Sequence, residues 1–134
     1  MKKILLASLL AAAFLTITQQ GTAQSKDTLT AKTAVKKHGY TVLNAGEAIV
    51  IYKYVHASHS PKEAEKYAPK YFFTTANSDV LQPLTKDNLK AAFPANHKFH
   101  DALDAACKDD KDLYEYDSFH KTYKVNHVLL MNGN

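Results

Sequence analysis

The sequence predicts an α+β domain: a small antiparallel sheet (a hairpin plus one or two further strands), followed by two or three C-terminal helices packed on one face. Three observations carry that expectation. Side chains alternate with period two from Ala48 to His56. Two short runs rich in aromatic and β-branched residues flank the turn-forming cluster ANSD at 76–79. After Thr85 the apolar residues recur at helical spacing to the end of the chain.

The chain opens MKKILLASLLAAAFLTITQQGTAQ, with two lysines, an apolar run from Ile4 to Leu15, and small residues at Gly21 and Ala23. This is the pattern of a secretory signal peptide over 1–23, with cleavage expected after Ala23. The run is shorter than the roughly 20 apolar residues a membrane-spanning helix needs, so no transmembrane anchor is expected. A lipid anchor would need a cysteine at the cleavage site. The one cysteine is Cys107, so no lipid anchor is expected and an intramolecular disulfide is ruled out. The expected destination is the periplasm or the medium.

All 17 basic residues are lysine. Two leave with the signal, so 15 lysines face 13 acids and the mature chain is only weakly cationic. Without the planar, bidentate fork of arginine, sequence-specific nucleic-acid binding and phosphoryl chemistry are poorly served. Four glycines leave little material for phosphate-cradling loops, and no Walker, dinucleotide or GxSxG pattern occurs.

Residues 24–39 form a lysine- and threonine-rich leader with two open alternatives, a disordered segment or a weak helix ending at Gly39. Residues 40–134 form the single α+β domain. NAGE at 44–47 supplies a turn, and the strand after it is apolar on both faces, as a central strand should be. Ser60, Pro61 and Glu63 read as N-cap, first helical residue and capping-box glutamate of a short helix that Pro69 stops. Tyr71–Thr75 and Val80–Leu84 form the hairpin, with Pro83 tolerated at an edge or strand end. Thr85 caps a helix ended by Pro94, NHKFHDALDAACK makes a second, and DDKDLYEYDSFHKTYKVNHVLLM is expected to make a third.

LTKDNLKAAFPANHKFHDALD and the later YDSFHKTYKVN together resemble small exported, uncharacterised proteins of Bacteroidota-type bacteria. The resemblance covers about the C-terminal half. It is compatible with export and points to no enzyme family.

The candidate chemistry lies in seven histidines. With Phe99 at the centre of the apolar stripe of the second helix, His97, Asp101 and Asp104 fall opposite and His100 on the border. His97 with Asp101 and His100 with Asp104 are i,i+4 neighbours. They form either a divalent-metal site, zinc for example, or two ion pairs on a solvated face; the helix itself supplies no further ligands. In the third helix the same phasing turns His120 and His127 inward, about 10 Å apart, with Asp117 a hydrogen-bond partner for His120. His56 and His59 sit at a strand end and loop, and Cys107 flanks the apolar stripe as a buried thiol. A small hydrolase built on a His/Asp pair lacks a visible nucleophile and oxyanion site. No catalytic set or cofactor is therefore assigned. The expected function is a non-enzymatic exported module that meets a protein or cell-envelope partner, with divalent-metal binding as the alternative.

Overall fold

The computed structural model of the chain describes residues 29–57 and 60–133. The signal peptide, the first residues of the leader and His59 lie outside them. Helix α1 (Ala31–His38) leads to β1 (Thr41–Val42), β2 (Ile49–Tyr54), α2 (Pro61–Lys66), β3 (Lys70–Thr75) and β4 (Ser78–Pro83). Helices α3 (Lys86–Ala92) and α4 (His97–Ala106) follow, then a 3-10 turn (Asp110–Tyr114), β5 (Tyr116–Asp117), β6 (Thr122–Tyr123) and α5 (Lys124–Asn132). Strands β1 to β4 form an antiparallel meander in sequence order, and β5 and β6 form a separate two-stranded hairpin. Among the described residues, no helix is long and apolar enough to cross a membrane.

The α+β architecture and most of its punctuation are as the sequence predicts. Ser60 Oγ accepts the amide of Glu63, Thr85 Oγ1 that of Asn88 and Asn96 Oδ1 that of Phe99, so each of these helices starts on a capping side chain, the Asn96 cap in addition to the two expected. Pro83 ends β4, where its missing amide costs no ladder bond. In the leader it is the helix that forms. Helix α1 ends at Gly39 in the left-handed conformation (φ 70°), and its Ala34 is fully buried. Just before it, the Leu29 carbonyl accepts the amide of Leu81 at 2.9 Å and Thr30 bridges Val80, which partly closes the outer edge of β4.

Strand β2 is central and buries both faces. Ile49 and Ile51 share one face with Phe73, the cross-strand partner of Ile51, and meet Leu89 of α3, Phe99 and Leu103 of α4, and Val125 and Leu129 of α5 in one core. Burying an aliphatic or phenyl side chain of this size contributes about 1.5–3 kcal/mol. On the opposite face Tyr52 and Thr74 are buried together, with the Thr74 hydroxyl donating to Tyr52 Oη at 3.4 Å. There Tyr40 covers Tyr54 and Phe72 at ring separations of 4.8 and 5.3 Å. Phe72 and Phe73 therefore both find cover, on opposite sides of the sheet. The 3-10 turn docks by stacking Tyr114 on Tyr71 at 3.7 Å.

Strand β1 pairs only with Tyr52 and Lys53, so the backbone of Ile49 extends beyond its ladder. Two asparagine side chains take the place of the missing strand. Asn126 of α5 accepts the Ile49 amide at 3.0 Å and donates to the Ile49 carbonyl at 2.8 Å. Asn44 donates to the same carbonyl at 2.8 Å and accepts the Ile51 amide at 2.6 Å. Glu47 Oε2 accepts from Asn44 Nδ2 and from the Thr122 hydroxyl, both at 3.0 Å. This buried network seats α5 and the β5–β6 hairpin on the sheet, because polar groups withdrawn from water must find partners.

The one large departure from expectation is residues 109–131, which do not form a single helix. Asp109 and Asp112 cap each other's backbone and confine the first segment to the 3-10 turn. Asp117 Oδ1 then accepts the amides of Phe119 (2.8 Å) and His120 (3.2 Å), an Asx-type turn that competes with helix. Lys121 adopts a left-handed conformation (φ 54°), which reverses the chain into β6.

Candidate functional site: the hairpin and the face of α5

The hairpin is closed at its base by a ring contact between Tyr116 and Tyr123 at 5.2 Å, by the Lys124 amide donating to the Glu115 carbonyl, and by a Lys124–Glu115 ion pair at 3.2 Å. Its tip projects Phe119, which is 86% exposed. Behind the tip, His120 Nδ1 lies 2.5 Å from Asp117 Oδ2, and the imidazole stacks on that of His127 with ring centroids 4.0 Å apart. The sequence expectation for these two histidines is corrected on both points. His120 is exposed and His127 half-buried, not core residues, and the intervening hairpin brings them into face contact rather than 10 Å apart. The pairing of Asp117 with His120 is as the sequence suggests.

The hydrogen bond from His120, with the backbone amides of His120 and Phe119, holds the Asp117 carboxyl down at about 2. A carboxyl depressed below its ordinary 3.8 favours the folded protein above that value and loses its contribution as the pH falls from 3.8 toward 2. Asp117→Asn, which retains the acceptor for the turn but not the charge, is therefore expected to melt below the parent protein at pH 5 and level with it near pH 2. Thermal midpoints of both proteins between these pH values check this. A constant difference across the range would show that Asp117 does not titrate as described.

Between the hairpin and α5 lies an open cleft of about 380 Å³ lined by Glu47, Ala48, His120, Lys121, Asn126 and Leu129. Leu130, on its rim, is 78% exposed, and the adjacent Met131 is 69% exposed. Glu47 and Asn126, which sequence reasoning missed, thus both anchor the fold and line the cleft. An asparagine inside the apolar run VNHVLL was the available signal for the second.

The four residues singled out on α4 do not assemble. His97 and Asp101 are exposed, and no ion pair joins them among the described residues. The rings of His97 and His100 meet edge-on at 5.7 Å, but His100 Nε2 is 2.8 Å from the Phe93 carbonyl and so serves as its donor. Asp104 turns to Lys90 (2.6 Å) and Lys86 (3.9 Å) instead of His100, and the Lys90 hydrogen bond lowers its acidity range. His56 stacks on Tyr67 at 4.5 Å, away from the α4 set. Among the described residues, no three His, Cys, Asp or Glu side chains converge in a group that could hold a metal ion.

Cys107 is fully buried, and burial pushes its thiol up from the ordinary value, the opposite of an activated nucleophile. His120 has an oriented imidazole, but among the described residues no hydroxyl or thiol hydrogen-bonds to it. What the arrangement offers is a stacked imidazole pair beside a cleft of mixed lining, with Leu130 exposed on its rim and Phe119 exposed at the hairpin tip. Comparison with family models, with curated proteins and with solved structures gives no match, so the reading of this chain rests on its own residues.

Proposed function

We propose that the protein is an exported, non-enzymatic interaction module that binds a protein partner through the hairpin tip and the outer face of α5. The observation that carries this reading is the exposure of Phe119 at the hairpin tip, where its ring meets His120, and of Leu130, which lines the cleft that His120 also lines, with Met131 exposed beside Leu130 on α5. Large apolar side chains scattered singly need no explanation, but exposed on two elements that share a cleft they mark a recognition surface. The proposal that it is exported rests on Lys2 and Lys3, the apolar run Ile4–Leu15 and the small residues Gly21 and Ala23. Its check is the intact mass of the protein recovered outside the cytoplasm, expected to begin at Gln24; recovery of the uncleaved chain in the cytoplasm would count against export.

Partner binding is tested by placing a photo-crosslinking residue at position 119 or 130 in cells, with position 62 on the exposed side of α2 as control. A discrete adduct at 119 and 130 but not at 62 is expected. Equal yields at all three positions, or none at 119 and 130, would remove the reading.

A further inference from the structure

We propose that the His120–His127 stack is a pH-sensitive latch that holds the hairpin tip on α5, closed while one of the two imidazoles is neutral and opened when both are protonated. This inference concerns the seating of the hairpin and does not depend on the partner-binding reading. The base of the hairpin is fixed by the Tyr116–Tyr123 contact, the Lys124–Glu115 ion pair and the Thr122–Glu47 bond. Nearer the tip, His120 reaches α5 through the face of its imidazole, 4.0 Å from that of His127 and inclined to it by 29°.

The two rings differ in what surrounds them. His120 Nδ1 donates to Asp117 Oδ2 at 2.5 Å, so a proton on His120 is compensated by a carboxylate, and the neutral His127 ring can stack on it. His127 has no such partner: among the described residues neither of its nitrogens is hydrogen-bonded, and no carboxylate forms an ion pair with it. Acids on the neighbouring elements are engaged elsewhere. Glu47, across the cleft on the loop before β2, accepts from Asn44 and Thr122, and Glu115 pairs with Lys124. Asp110 and Asp112 of the 3-10 turn bind backbone amides, Asp104 of α4 holds Lys90, and Asp101 is exposed. The charges left nearby are lysines: Lys121 of the hairpin lines the same cleft, and Lys98 of α4 lines another with Leu130 and Met131. Neither relieves a second positive charge. Two protonated rings at 4.0 Å lie well inside the screening length of about 8 Å at physiological salt. A proton that the docked state binds less well than the released one favours docking at neutral pH and opposes it as the pH falls. Asp117, held down at about 2, stays ionised over this change, so its turn with the Phe119 and His120 amides survives while the seat on α5 loosens.

The test compares protein purified from cells expressing the full chain by NMR at about pH 7.5 and about pH 5, the span over which histidine ordinarily gains its proton. Cross-peaks between the two imidazole rings are expected at the higher pH and lost at the lower, with those between the Tyr116 and Tyr123 rings kept at both. His127→Phe, which keeps a ring at that position but removes its proton, is expected to retain the contact with His120 at both pH values. Imidazole cross-peaks that are absent at the higher pH, that persist at the lower, that vanish together with those of Tyr116 and Tyr123, or whose loss is matched in His127→Phe would overturn the proposal.

Discussion

Replacing Phe99 with alanine is expected to lower the unfolding free energy by about 4 kcal/mol, since truncating a buried phenylalanine costs about 3–5 kcal/mol. Phe99 has no exposed surface, packs edge-on against Phe93 at 5.4 Å, and belongs to the core that joins α4 to the sheet and to α5. The loss combines the transfer of the ring into water with the cavity left behind, which neighbours held by three helices and a sheet can close only in part. For a domain of this size, with a total stability of about 5–15 kcal/mol, that is a large fraction. Urea unfolding checks it: the midpoint should fall with the slope unchanged. A shift equivalent to under about 1 kcal/mol would mean that α4 is not seated as described.

Asn126→Ala is expected to cost about 3 kcal/mol for a different reason. It leaves the Ile49 amide buried with no partner, while the Ile49 carbonyl keeps only Asn44. An orphaned buried donor costs about 1–3 kcal/mol, and the second lost hydrogen bond adds about 1 kcal/mol. The nearly isosteric Asn126→Asp separates hydrogen bonding from packing. At neutral pH it replaces the donor with a second acceptor facing the Ile49 carbonyl, so it should destabilise at least as much as alanine. If Asn126→Asp is tolerated and Asn126→Ala is not, shape rather than donor–acceptor matching holds α5 in place. Hydrogen exchange at Ile49 gives the local readout and should quicken in both variants.

These two residues also show how far the sequence could be read. The core face of α4 was legible because Phe99 and Leu103 recur at helical spacing, and both prove fully buried. Strand β2, the 70–83 hairpin, and the caps at Ser60 and Thr85 were legible for equally local reasons: alternation, a turn cluster, and side chains that bond amides three residues away. Asn126 was not, because its partner Ile49 lies 77 residues earlier and nothing local records that β1 is too short.

The C-terminal segment shows why the site was harder still. Leu113, Tyr116, His120, Tyr123 and His127 fit a helical period, yet Asp117 uses its carboxylate on the next two amides and the chain turns. The Tyr-Asp before that turn and the Thr-Tyr after it carry the hairpin signal, and a 3.6-residue pattern over the same span masked it. With the helix removed, the distance between His120 and His127 changes from two helical turns to ring contact. The opposite failure occurs on α4. The helix is correct there, but Lys90 of α3 captures Asp104, a long-range choice that spacing along one helix does not encode.

The seating of the hairpin by Glu47, Thr122 and Asn126 bears on the proposed partner binding. Phe119 is carried on a tip tied to the body through the Thr122–Glu47 bond and the His120–His127 contact, so the protruding ring is held in a set position relative to α5, on which Leu130 is exposed. Preorganisation lowers the ordering cost of association, which is how a small apolar patch can support specific binding. The most direct test is the affinity of the partner captured at position 119, measured with Phe119→Ser combined with Leu130→Ser. Both side chains are exposed, so an unchanged thermal midpoint with binding weakened at least tenfold is the expected result. Undiminished affinity in that double variant would contradict the account.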